Sequence, residues 1–563
     1  MVTADVNARS DRVIGPPMRK FSPIAQHVAV VVVLFVLAVL LQRAGGAYNA
    51  EFGGDHADEA PHYVTAKMVS DYVSQGFPGS PMRFAENYYL RYPKVAFGIW
   101  PPLFHVIAGL WMAVISPGRT SILIFAALLS AILGWILYTL ARKCLPPPVA
   151  VAITLVFITL PAVQTHTASV MVDSMLAIFI LSAAYFFGQY IESGTMRDSV
   201  LFGILASLAL LTKYNAIALA FLPPLALLVS RRSSLIRTRA FWVSALIIAT
   251  LCAPWYLPFR SLVTYASEPY PGWDNVPSAA AASIAFTLTL AGIWVGPAAL
   301  ASFSLTSIKR RRALRSGGLW VSMPVLVMSI LLFHSLTYPV QEPRYMLHVL
   351  APMLLCAGVG LTRLVRRLLP PGMENRGAWA VAGMILLLHS VFVFKIPRKE
   401  NHAIGPAAQL LLSRPNEQKS NILVSSNGLG EGMLIAEMAN RERDRSGYIL
   451  RASKLLAQST WMGENYHALY KDADAVMTVL DGLPIEYVIM HSGAGRSLPH
   501  HTQLTTAIER NPGRFQELGR FTAKSTSHSD EVTVVYRLSH PVEPPPMKVS
   551  VDMKYTLHRN IRN

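Results

Sequence analysis

Twelve apolar stretches, many of them long enough to cross about 30 Å of hydrocarbon as a helix, occupy the first 395 residues of this 563-residue chain. They run at about 24–41, 99–116, 121–141, 149–165, 170–191, 199–212, 214–229, 240–258, 279–305, 319–336, 345–365 and 378–395. A chain that is 52% hydrophobic and only 15% charged, with a mean hydropathy of +0.38, is too apolar for a water-soluble enzyme. It is read as a polytopic membrane protein. The formal charge of +18 raises a second reading, a nucleic-acid binder, which the placement of the charges decides.

Lys and Arg in short loops collect on the cytoplasmic side of a membrane protein. If the stretch opening IWPPLFHVIAGLW lies along the surface, twenty basic residues fall inside, among them Arg142, Lys143, Arg231, Arg232, Lys309 to Arg312, Arg363 and Arg366, against nine outside. If it crosses, every later loop flips and the tally becomes about eight against twenty-one. Eleven spans are therefore expected, with Trp100, Pro101, Pro102 and His105 starting an interfacial helix. The basic excess is then a consequence of topology and carries no nucleic-acid footprint. Arg9, Arg12, Arg19 and Lys20 precede the first span and AGGA follows it, a pattern a cleaved signal peptide shares, but the long polar lead favours an uncleaved helix. Three cysteines, Cys144, Cys252 and Cys356, sit at a helix edge or within apolar runs and offer no disulfide framework.

This topology divides the chain into a cytoplasmic segment 1–23, a membrane domain 24–395 with a long first outer loop at 42–120, and an exported tail 396–563. The tail balances twenty basic against seventeen acidic residues and alternates strand-like runs (NILVSS, EYVIMHS, VTVVYRL) with helical ones such as EGMLIAEMANRER, the pattern of an α/β domain. Its GLGEG string follows a strand-like run and opens a helix, but the spacing is not that of a dinucleotide fingerprint. A tight strand-to-helix turn is the safer reading.

Carboxylates and cations gather on the outer face: Asp55, Asp58, Glu59, Lys94, His166, Asp173, Lys213, Arg344 and Tyr345 all fall near ends of apolar segments. Charged groups there are expensive and usually functional, although acids at a helix start and cations at a helix end also have structural uses. His334, His348 and His389, inside apolar runs, read as packing residues.

The string ADEAPHYVTAKMV resembles the first-loop acidic motif of the GT-C glycosyltransferases that use lipid-linked sugars, in the group of the protein mannosyltransferases and the aminoarabinose transferases of lipid A. YPKVAFGIWPPLF, HTASVMVDSMLAIF, LALLTKYNAIAL, CAPWYL and QEPRYMLHVLAP resemble further pieces of that group in its order, over roughly residues 24–395. The resemblance implies a mainly α membrane fold with outer juxtamembrane helices, and transfer of a sugar from a polyprenyl phosphate to an envelope lipid, glycan or protein, usually with inversion. Because the departing group is already an anion, such chemistry needs one base and a phosphate clamp, without a general acid. Asp58 is the candidate base, with Asp55 competing for the place because an extra residue precedes Tyr63, and Glu59 as its neighbour. Arg344 is the preferred clamp, with Lys94 and Lys213 as point charges. Asp173, Tyr345 and His166 are candidates to orient the acceptor or to serve the structure. No cofactor is demanded; a divalent metal would find Asp55, Glu59 and His56 beside the phosphate. Two other classes share the hydrophobicity: a transporter or flippase of lipid-linked sugars, and a silent scaffold. A transporter should show mid-membrane carboxylates or repeated broken helices, and neither is evident.

Overall fold

In the computed structural model, the described residues are 23–563 apart from 55, 97, 262–271, 305–316, 338–341, 416, 443–444, 459–465, 493–497, 524–529, 554–558 and 563. Asp55, the basic residues of the N-terminal segment and Lys309–Arg312 lie outside them.

Leu, Val, Ile and Ala dominate the helices Pro23–Ala44, Arg119–Arg142, Asp173–Ser193, Arg239–Tyr256 and Gly317–Thr337. With Pro343–Leu368 they make six that are long and apolar enough to cross a membrane. Two further passes are broken. Pro147–Thr159 and Pro161–Thr167 meet at 58° because Leu160, preceding a proline, is driven to ψ 132° and out of the helix. Trp273–Ala291 and Val295–Ser302 meet at 103° through Gly292, whose φ of 98° suits a residue without a β-carbon. Met196–Leu210, Tyr214–Ser230 and Glu374–Phe392 complete the bundle. Among the described residues six single helices, or eight passes with each broken pair counted as one, are long and apolar enough to cross a membrane, and three further helices are shorter or less apolar, against the eleven spans expected from the charge distribution. The helices approach closely where Gly188 faces Gly318: a β-carbon on Gly318 would lie 1.9 Å from the Gly188 carbonyl oxygen.

Leu103–Val114 is different. Its twelve residues rise only about 18 Å, too little to cross. Phe104, His105, Ala108 and Met112 are buried while Val106, Leu110 and Val114 stay exposed. Gly109 lets the helix lie on Glu59–Ser74, since a β-carbon there would sit 2.7 Å from Val69 Cβ. The two form a layer over one end of the bundle.

The tail folds into a five-stranded sheet in the order Ile449–Arg451, Ile422–Ser425, Tyr487–Ser492, Glu531–Leu538, Phe515–Ala523. The first three are parallel and the last two antiparallel. Ile422–Ser425 lies between strands that follow it in sequence on either side, so the chain reverses direction at its carboxyl end, the usual crevice of an open α/β sheet. The tail is joined to the first loop by a shared core in which Phe52, Tyr63 and Phe104 pack with Val424, Met433 and Ile435. Buried acids reinforce the joint. Glu51 accepts from the backbone N–H groups of His402, Ile404 and Gly405 at 2.8–3.0 Å, satisfying the first turn of Ile404–Leu412. Glu437 accepts from Phe52 N and pairs with Arg119 and Arg441.

Candidate functional site

The layer of surface helices, the ends of the bundle and the tail meet around the start of Glu59–Ser74. Asp58 occupies the N-cap position but makes no side-chain cap bond. Its carboxylate, a third exposed, accepts instead from Arg344 Nη1 at 2.7 Å. Arg344 follows Pro343 in a short 3₁₀ turn, which turns its side chain toward the first loop; its Nε also lies 2.5 Å from Glu342. The acid and the arginine singled out in sequence, 286 residues apart, are thus in direct contact.

Glu59, one residue on, points the other way. It is fully buried and accepts from Lys399 Nζ at 2.6 Å, Gly53 N at 2.7 Å and Val170 N at 3.0 Å. With both oxygens committed, Glu59 ties the first loop to the second outer loop and to the root of the tail. It is placed to hold the site together, and it faces away from the Asp58–Arg344 contact. Lys399 and Glu342 were not singled out from the sequence; neither stands in a motif.

Lys213 donates to Asp173 Oδ1 at 2.9 Å, and both are largely buried. Tyr345 lies between the two cations: Lys213 Nζ is 5.7 Å and Arg344 Cζ 5.5 Å from its ring centre, within cation–π range. His334 stacks on the same ring at 5.4 Å. Arg344 and Lys213 therefore share one locality, as expected. Lys94 leaves it. Its ammonium reaches 3.1 Å to the Gly428 carbonyl at the head of the tail helix Gly428–Arg441, because Pro93 and Lys94 form the turn that carries the chain under the tail.

Around Asp173, several buried polar atoms have no partner within the protein among the described residues: Asp173 Oδ2, His166 Nε2, His56 Nε2 and both ring nitrogens of His348. His56 and His166 lie 5.2 Å apart, ring centre to ring centre. Burial, helped by His166 and Arg344, pushes His56 down to about 3, so it is a neutral ring at physiological pH. A buried group without a partner costs roughly 1–3 kcal/mol; a cluster of them suits a polar ligand with several hydroxyls. His348, read from sequence as packing, belongs to this cluster; its signal was only its position four residues after Arg344. A narrow apolar crevice, lined by Phe104, Ile122, Phe125, Leu129 and Met171, has His166 at its wall. No three His, Cys, Asp or Glu side chains among the described residues are grouped to hold a metal.

Charge sets the chemistry available. Arg344 and Lys213 are opposed by Asp58, Glu342 and Asp173, so an arriving phosphate has to displace a carboxylate to reach the guanidinium. Two carboxylates hold the buried guanidinium, Asp58 through Nη1 and the still more exposed Glu342 through Nε.

Residues 100–257 match the family model described as dolichyl-phosphate-mannose-protein mannosyltransferase. By sequence, no curated protein matches. In fold the chain is similar to ArnT from Cupriavidus metallidurans in the apo state, with a TM-score of 0.57 and 13% identity over 93% of this chain and 100% of that one. The same enzyme bound to undecaprenyl phosphate gives 0.54 over 93% and 99%. The archaeal oligosaccharyltransferase AglB from Archaeoglobus fulgidus, in complex with an inhibitory peptide and a dolichol-phosphate, gives 0.52 at 13% identity, over 83% and 70%. The fold is that of the GT-C membrane glycosyltransferases, and the resemblance read from the sequence is upheld.

Proposed function

We propose, taking the GT-C glycosyltransferase fold as the premise, that this multi-pass membrane protein transfers a sugar from a polyprenyl-phosphate donor to an envelope acceptor on the outer face of the cell membrane, with its N-terminus in the cytoplasm. The observation that carries the reading is the Asp58–Arg344 contact at 2.7 Å: an acid able to act as base and a guanidinium able to hold phosphate, already at bonding distance. Donor phosphate competes for Arg344, whose fork matches two phosphate oxygens. Lys213, held against Tyr345 and Asp173, adds a second charge nearby. Release of Asp58 from Arg344 leaves it beside the acceptor hydroxyl, whose proton it takes as the oxygen attacks the anomeric carbon. The phosphate leaves as an anion held by the arginine. The order matters: the base is uncovered only once the donor is seated. Asp173 Oδ2 and the rings of His56, His166 and His348 supply acceptors and donors to sugar hydroxyls.

A transporter of lipid-linked sugars is the second reading. Against it stands the position of the acids, all at the end of the bundle next to the tail. The test uses purified protein, polyprenyl-phosphate sugars and a cell-envelope extract: release of free polyprenyl phosphate in step with glycosylation is expected. Asp58→Asn should slow transfer by about 10²- to 10⁴-fold with the fold intact. Normal transfer by that variant removes Asp58 from the mechanism.

A further inference from the structure

The GLGEG segment has no part in the chemistry above, yet it is built with unusual economy of side chains. Gly428 opens the helix Gly428–Arg441 and is exposed. Asn427 caps it, its Oδ1 accepting from Gly430 N at 2.9 Å, which leaves the Gly428 and Leu429 N–H groups at the head of the first turn, where a helix offers no acceptors of its own. Two cations converge on the same residue from different domains. Lys94, from the first outer loop, bonds the Gly428 carbonyl, and a β-carbon on Gly428 would lie 3.9 Å from Arg451 Nη2. The other glycines keep the place open: a β-carbon on Gly432 would come within 3.0 Å of Lys94 Cε, and one on Gly430 within 2.2 Å of Ser426 Oγ. Ser426, only 2% exposed, has a hydroxyl with no partner in the protein among the described residues, set against that first turn. The acid nearby is already committed: Glu431 accepts from Arg451 Nε, Ser453 N and Ser453 Oγ at 2.5–2.8 Å.

We propose that the crevice at the carboxyl end of strand Ile422–Ser425 binds a phosphoryl group carried by the acceptor, held by the Gly428 and Leu429 N–H groups, the Ser426 hydroxyl, Lys94 and Arg451. Helix heads with free N–H groups favour such anions, and a guanidinium adds a bidentate partner. Positive charge here exceeds negative, with Lys94, Arg451 and Lys454 against Glu431; burial and the neighbouring Arg451 push Lys94 down to about 7, a penalty that a bound anion relieves. The site adjoins the helix that Asp58 caps, since a β-carbon on Gly432 would lie 3.0 Å from Lys94 Cε and 3.6 Å from Ala60 Cβ, two residues after Asp58. It deepens the transferase reading by giving the acceptor an anionic handle, and it rests on that reading only for its role in catalysis.

The test separates the two. Full-length protein in phosphatidylcholine nanodiscs is treated at pH 7 with an amine-reactive sulfonate, and labelling of Lys94 is followed by peptide mass mapping. Inorganic phosphate should protect Lys94 in a saturable way, at least fivefold, where chloride at equal ionic strength does not. The paired variant Arg451→Gln/Glu431→Gln, which removes the guanidinium without stranding a buried acid, should lose protection, and Ser426→Ala should weaken it. Asp58→Asn should keep it, so that a failed transferase reading leaves this result standing. Where transfer is measured, the paired variant should raise the acceptor KM and leave the donor KM unchanged. Absence of protection in the native protein overturns the proposal. Equal protection in the paired variant means an adventitious ion only, and protection by phosphatidylglycerol nanodiscs without added phosphate assigns the site to bilayer lipid instead.

Discussion

Glu59 and Lys399 offer the sharpest test of how this site is held together. Their side chains are 0% and 2% exposed and 2.6 Å apart. Replacing Lys399 by Met removes the one cation bonded to Glu59 among the described residues and leaves a buried carboxylate with two backbone donors, Gly53 N and Val170 N. Breaking one side of such a pair costs about 3–5 kcal/mol, a factor of roughly 100 or more in the folded-to-unfolded ratio. Glu59→Gln alone leaves a buried ammonium, with the Ala168 carbonyl at 3.2 Å as its remaining acceptor, and should cost a similar amount. The double variant Glu59→Gln/Lys399→Met strands neither charge and should recover most of the loss, giving a coupling of at least ~2 kcal/mol in the thermodynamic cycle. Thermal unfolding in detergent, followed by intrinsic tryptophan fluorescence, measures the stability, and sugar transfer measures activity in the same samples. Because Glu59 is placed away from the Asp58–Arg344 contact, the double variant should retain transfer within about tenfold. A double variant that is stable but inactive would show that Glu59 touches the reacting groups; simple additivity of the two single losses would show that the pair is not a structural unit.

Two other outcomes follow from the surface helices. His62 Nδ1 and His105 Nε2 lie 3.0 Å apart, and burial pushes both rings down, His105 to about 4. The unfolded chain therefore takes up protons first, so stability should fall as pH drops from about 6.5 toward 4, by up to ~1.4 kcal/mol per pH unit for each such ring, and be independent of this pair above 6.5. His105→Gln should flatten that slope in unfolding midpoints taken from pH 7.5 to 4.5; an unchanged slope would contradict the assignment. Gly109→Leu forces atoms into Val69 and the Ala66 carbonyl and should cost at least ~1–3 kcal/mol, visible as a lower unfolding temperature; wild-type stability would mean that the two helices are not packed face to face.

Much of this arrangement was legible in the residues. Eleven spans were expected from where Lys and Arg fall, and six to eight passes among the described residues have the length and apolarity to cross. The short helix at Leu103 was marked by Pro101 and Pro102, whose rings suit a helix start. Asp58 and Arg344 were singled out because ADEAPHYVTAKMV and QEPRYMLHVLAP resemble motifs of the GT-C transferases; as charges at helix ends alone they had structural uses too. Lys399 and Glu342 escaped because a partner for a buried acid is set by three-dimensional packing, and nothing in KIPRKEN or VQEPRY marks which charge turns inward. Lys94 was grouped with the other two cations by its face of the membrane; only the docking of the tail, which no local pattern encodes, draws it toward Gly428. The helix breaks at Leu160 and Gly292 were not read from the sequence, which showed 149–165 and 279–305 as continuous apolar stretches; Pro161 and Gly292 permit the bends, and their angles depend on the neighbours they pack against.

The joint between first loop and tail has a temporal side. Glu51 and Glu59 emerge from the ribosome early, while the groups that satisfy them arrive some 340 to 354 residues later. At about 5–20 residues per second, roughly 20–70 s of synthesis separate these acids from their partners. Throughout that interval the loop bearing Asp58 lacks the partners that fix it, so its final shape waits for the chain beyond Lys399 to be made.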